Sequence, residues 1–161
     1  MPTSSAMTRR LFLLAVAATA ALWAQDFAGT VVALTDGDTL DVLHHGTVQR
    51  VRLWGIDAPE AKQPFGARAR EFAADLVFAK EVRVRVRGID RYKRTLGEIL
   101  MPDGRNLGHD LLRAGLAWWY VQFATNEHSL ADLEPEARAA RRGLWSESGA
   151  VPPWEWRKAR H

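Results

Sequence analysis

From Glu81 to Arg87 the chain alternates without a break, with Val82, Val84 and Val86 on one side and Arg83, Arg85 and Arg87 on the other. Successive strand side chains point to opposite faces, so this pattern fits a strand with one apolar face on a core and one cationic face in water. Such a strand needs a sheet, and neighbouring segments supply it. Phe27 to Leu34 is one apolar run and Thr39 to Leu43 another; in Val48 to Trp54, Val48, Arg50, Arg52 and Trp54 share a face. Asp36-Gly37-Asp38 and His44-His45-Gly46 turn the chain between these runs, and Thr95 to Met101 ends in the turn Pro102-Asp103-Gly104.

Between the third and fourth strands, residues 66–80 repeat Ala69, Phe72, Ala73, Leu76 and Val77 at helical spacing. Asn106 caps a short helix through Leu111, Leu112 and Ala114, stopped by Gly115. A last helix ends at Arg141-Arg142-Gly143, and Pro135 either begins its regular part or kinks it. The order predicts a mainly β fold with α: a five-stranded OB-fold barrel with three attached helices. The 161 residues allow one ordinary domain, expected over 25–149, and the tail 150–161, basic and aromatic without periodicity, is expected to be loose. The absence of cysteine excludes disulfide scaffolds, thiolate metal sites and a cysteine nucleophile.

Residues 1–24 have the form of a secretory signal: Arg9-Arg10, an apolar stretch from Leu11, and small residues up to Ala24. The paired arginines also fit a twin-arginine signal, and cleavage is expected after Ala24, with Ala21 second. The product is therefore expected to be periplasmic or secreted, with membrane attachment only if the segment is retained. Export also changes the charge. The formal net charge of +3 includes Arg9 and Arg10, and without them 20 cations face 19 acids, about +1. A nucleic-acid partner must then be argued from where the charges sit.

Acids at the ends of paired strands can converge. Asp38 and Asp57 offer only oxygen, which suits a hard cation, calcium or magnesium. Arg52 and Arg94 are planar forks suited to phosphate oxygens, and Glu60 is a further carboxylate placed to hold a water. These are the parts a metal-assisted phosphodiester hydrolysis needs. The five histidines show no ligand spacing. Arg83, Arg85 and Arg87 are expected to be a solvated face, and Trp118 and Trp119, being adjacent, cannot share one.

Taken in order, Asp36-Gly37-Asp38-Thr39, Arg52 with Asp57-Ala58-Pro59-Glu60, Asp90-Arg91-Tyr92-Lys93-Arg94, Gly115-Leu116-Ala117 and Gly143-Leu144-Trp145 resemble the staphylococcal nuclease (thermonuclease-like) family over roughly residues 27–145. The resemblance implies calcium-dependent cleavage of DNA and RNA by a monomer, with 3′-phosphate ends. It implies Asp38, Asp57 and the main-chain oxygen of Ala58 as Ca2+ ligands, with Asp36 behind them. Arg52 and Arg94 would bind the scissile phosphate, Glu60 would act as general base or position the water, and Tyr92 would touch the nucleotide phosphate. Three positions depart from the pattern. Ala58 replaces threonine. Lys93 replaces glycine, altering the loop backbone or adding a phosphate contact. Tyr120 stands one residue before the family's base-stacking tyrosine, where Val121 falls. The competing reading is a non-catalytic OB-fold nucleic-acid-binding module of the cell envelope.

Overall fold

The computed structural model describes residues 25–160; the expected export signal, 1–24, lies outside them. In chain order the strands are β1 (Phe27–Leu34), β2 (Thr39–His44), β3 (Thr47–Leu53), the two-residue β4 (Ile56–Asp57), β5 (Glu81–Ile89), β6 (Thr95–Leu100) and the two-residue β7 (Trp118–Trp119). The helices are α1 (Gly66–Val77), α2 (Leu107–Arg113), α3 (His128–Ala131), α4 (Leu133–Ala139) and α5 (Pro153–Lys158). Five strands close in the order β1-β2-β3-β6-β5, with β5 pairing back onto β1. Only β3 and β6 run parallel, which the intervening α1 and β5 make possible. This is the expected OB-fold barrel.

Alternation fills it. Val31, Leu40, Val42, Val51, Val84 and Ile99 are fully buried inside the barrel wall. Arg83, Arg85 and Arg87 are exposed, and the latter two pair with Glu98 on the neighbouring strand β6. The cationic face is thus solvated and partly neutralised. Helix α1 lays Ala69, Ala73 and Val77 on the barrel. It stops at Val77, before the expected residue 80, because Phe78 takes an extended ψ of 135° and Ala79 a left-handed φ of 58°, while Lys80 Nζ turns back onto the carbonyls of Asp75 and Leu76.

The last helix is in fact two, α3 and α4, broken at Asp132. Pro135 sits in the first turn of α4, where its missing N–H costs no helical bond. Gly115 and Gly143 then let the ends of α2 and α4 touch. A Cβ on Gly115 would lie 2.2 Å from the Arg142 carbonyl, and one on Gly143 would lie 2.4 Å from the Gly115 carbonyl. Trp145 closes this junction, edge-on to buried Trp118 at 5.2 Å and beneath the Arg138 guanidinium. Where a loose tail was expected, residues 153–158 form helix α5, so with α3 and α4 the attached helices number five among the described residues rather than three. None of them is long and apolar enough to cross a membrane.

Candidate active site

Strand register places the first acid beside the first arginine. Thr39 pairs with Arg52 across β2 and β3, and the Leu53 N–H donates to the Asp38 carbonyl at 2.8 Å. Ahead of Asp38, the Asp36 carboxylate accepts its N–H at 3.1 Å and tightens the turn. Gly37 packs this turn onto Ala69 of α1 and onto Ala58, where a Cβ would come within 2.8 Å of the Ala69 methyl. After β3, Gly55 reverses the chain at φ +77° into β4, which pairs with β7 so that Asp57 opposes Trp118. Asp57 is thereby brought back toward Asp38.

The two carboxylates meet on one guanidinium. Arg52 Nη1 lies 2.6 Å from Asp38 Oδ2, and Arg52 Nη2 donates to Asp57 Oδ1 at 2.7 Å. The Ala58 N–H donates to Asp38 Oδ2, and Thr39 Oγ1 donates to Asp38 Oδ1. Asp38 and Asp57 are only 3% and 1% exposed. Burial pushes the Asp38 carboxyl up to about 7; Arg52 opposes this and the Asp36 carboxylate adds to it. Burial likewise raises Asp57, against the pull of Arg157 and Arg52. Burial works against the Arg52 charge, but Asp38 and Asp57 outweigh it and raise its pKa. Both acids are raised chiefly because burial disfavours their charge, which the guanidinium groups on them only partly offset.

Two buried carboxylates that offer oxygen donors alone fit a hard divalent cation. No group of three or more histidine, aspartate or glutamate side chains stands ready as a metal cluster among the described residues. The expected set has only two carboxylates and one main-chain oxygen, so water and substrate would fill the remaining positions of such an ion.

The other expected residues are held differently. Glu60 follows buried Pro59 on the loop before α1, where its N–H donates to Gln63 Oε1 at 3.1 Å. Its carboxylate receives Arg157 Nη1 at 2.6 Å. Arg94 makes no contact with Asp38, Asp57 or Glu60; its Nε donates to Asp90 Oδ2 at 2.7 Å. Arg52 touches both acids directly, and Arg94 touches neither. Asp90 organises the loop, its Oδ1 accepting the N–H groups of Tyr92 and Arg94, and its carboxyl is lowered by these bonds in spite of partial burial. Arg94 remains close in register, two residues before Leu96, the partner of Arg52. Tyr92 is 64% exposed, with the Arg91 and Arg94 guanidinium groups at 4.8 and 5.5 Å from its ring. Tyr120 stacks on Trp154 at 5.2 Å and 6°.

Sequence reasoning gave Asp90 no role beyond its motif and missed Gln63, Trp154 and Arg157. The last two lie in the aperiodic tail, where only the clustering of tryptophans and cations marked them.

A family model for "Staphylococcal nuclease homologue" matches residues 50–147. The chain belongs to the staphylococcal nuclease family. It is 44% identical over 146 residues to a protein of Shigella flexneri named "Micrococcal nuclease", covering 85% of this chain and 83% of that one. It is 45% identical over 132 residues to an "Uncharacterized endonuclease" of Escherichia coli O157:H7, covering 82% and 86%. It is also 42% identical over 165 residues to "Protein ParB" of Escherichia coli, covering 96% and 93%.

Within this family, two departures acquire structural readings. Lys93 takes φ +62°, the left-handed conformation for which glycine is best suited, so the lysine carries the strain. Ala58 reaches the acids through its main chain, donating its N–H to Asp38, so its side chain can be a methyl.

Proposed function

We propose that the chain is an exported, calcium-dependent nuclease that hydrolyses phosphodiester bonds of DNA and RNA with little sequence specificity, leaving 3′-phosphate ends. The observation that carries this reading is the contact of one guanidinium, Arg52, with the buried carboxylates of both Asp38 and Asp57. The names of the relatives, nuclease and endonuclease, support it.

Asp38, Asp57 and the Ala58 carbonyl would hold the calcium ion, which when bound neutralises phosphate charge and favours ionisation of water. Arg52, locked in place by two carboxylates, presents a fixed positive charge to a phosphate and stabilises the charge that builds as phosphorus becomes five-coordinate. Arg94, on the loop before β6, supplies a second guanidinium once the substrate draws it from Asp90. Glu60 accepts a proton from the attacking water or orients it. Water oxygen bonds to phosphorus, the bond to the 5′-oxygen breaks, and that oxygen takes a proton from solvent. Tyr92, Lys93 and Tyr120 would meet phosphate or base. A site that reads the backbone reads what every sequence shares.

The test is cleavage of denatured DNA and of RNA by the purified chain lacking residues 1–24, with calcium, magnesium or chelator. Products with 3′-phosphate ends, lost on chelation, are expected. Folded protein that leaves both polymers whole overturns the proposal, and chelator-resistant binding without products makes it a binding module. Amino-terminal sequencing of protein recovered from the periplasm or medium tests export and the site after Ala24.

A further inference from the structure

Helix α5 spans six residues, too few to be stable alone. Side-chain contacts hold it. Gln63 Nε2 donates to the Val151 carbonyl at 2.6 Å, Trp154 lies flat on Tyr120, and Arg157 spans two acids. Arg157 Nη2 donates to Asp57 Oδ2 at 2.7 Å, and its Nη1 to Glu60 Oε1 at 2.6 Å. With Arg52 on Oδ1, both oxygens of Asp57 are taken by guanidinium groups. The carboxylate expected to handle water is taken as well.

The geometry points to α5 as an intramolecular cap: Arg157 occupies the carboxylates that a divalent cation and the attacking water require, and Trp154 covers the ring of Tyr120. The inference rests on the cation-dependent reading above. A cation can take Asp57 from Arg157 only by displacing it, so the apparent cation affinity is the intrinsic one reduced by the fraction of chains with α5 undocked. Release would free Asp57 Oδ2, Glu60 and Tyr120 together, which couples cation and substrate binding to one movement. The seam suits release. A space of about 130 Å³ lies between the Gln63–Phe65 loop and Trp156, and the Trp156 indole N–H has no acceptor among the described residues. The Arg157 contacts and the Trp154–Tyr120 stack together hold the cap down.

The experiment is a calorimetric calcium titration of the full chain, without nucleic acid. If α5 is docked about nine-tenths of the time, Arg157→Gln tightens the apparent Kd roughly tenfold. Trp154→Ala, which loosens the cap from its other end, tightens it in the same direction, and Lys158→Gln leaves it unchanged. In the unaltered chain, calcium speeds tryptic cleavage after Arg157 and Lys158. Calcium binding no tighter in Arg157→Gln and Trp154→Ala, or tail cleavage indifferent to calcium, overturns the cap. If the chain still cleaves nucleic acid with calcium, only the cap has failed; if no form binds calcium, the nuclease reading fails with it.

Discussion

Asp57 and Glu60 stand three residues apart and are held by opposite means. Asp57 is in β4, fully buried, fixed by pairing to β7 and by Arg52 from β3. Glu60 is on a loop, half-exposed, and among the described residues its carboxylate is engaged only by Arg157 of the tail, which also reaches Asp57. The same division runs through the site. Asp38 and Arg52 belong to the barrel, whereas Arg94, Tyr92 and Tyr120 sit on connections and touch Asp90, neighbouring arginines or Trp154. On the proposed reading, charge that must be in place before substrate arrives is built into strands or the tight turn that enters β2, and groups that exchange partners during binding and turnover are on loops. A rigid frame avoids reorganisation, and a loop permits it.

Breaking the barrel half has the largest effect. Arg52→Ala leaves two buried carboxylates without their shared partner and is expected to cost about 3–5 kcal/mol of stability, read by denaturant unfolding. It also lowers turnover by roughly 10²–10³ through loss of a charge stabiliser. Glu60→Gln sharpens the contrast: turnover falls by roughly 10²–10⁴ in a cleavage assay, while unfolding changes by less than about 0.5 kcal/mol. An unfolding curve for Glu60→Gln shifted as far as that of Arg52→Ala would erase the distinction.

Acidity separates the halves next. In the folded chain Asp38 is pushed up to about 7, against an ordinary 3.8 when unfolded, so the folded chain holds the proton more tightly. Cation-free stability is therefore greatest at low pH as far as this group is concerned, falls as pH rises from about 4 to 7, and levels off above that. Thermal melts in chelator show this slope, and Asp38→Asn flattens it. On the loop side, Asp90→Ala removes the anchor of Arg94 and the acceptor of two N–H groups; turnover is expected to drop roughly 10-fold to 10²-fold with little change in melting. The smallest effect is Lys93→Gly, which relieves a left-handed lysine and stabilises by about 1 kcal/mol in denaturant melts.

The barrel was legible because alternation is local. Val82, Val84 and Val86 declare a strand regardless of what they meet, and Asp36-Gly37-Asp38 declares a turn. The helices were less so. Ala79 ends α1 with a left-handed residue that no composition rule favours, and the break at Asp132 lies inside a segment whose pattern reads as one helix. In the site, the acids, Arg52 and Glu60 were found from residue type and order. The placement of Arg94 on Asp90 was not, because the sequence offers Arg94 several carboxylates and does not rank them.

The sequence by itself determined the barrel, the family and the set of charged groups, since each follows from short-range periodicity or from motifs whose order suffices. Only the tertiary structure decided which of those charges meet. The pairing of β2 with β3 and of β4 with β7 brings Asp38, Arg52 and Asp57 onto one point, and the fold of the last residues brings Arg157 there from 100 positions away. Opposite charges attract whatever their separation along the chain, and which partners come within reach is settled by strand register and by where the chain returns.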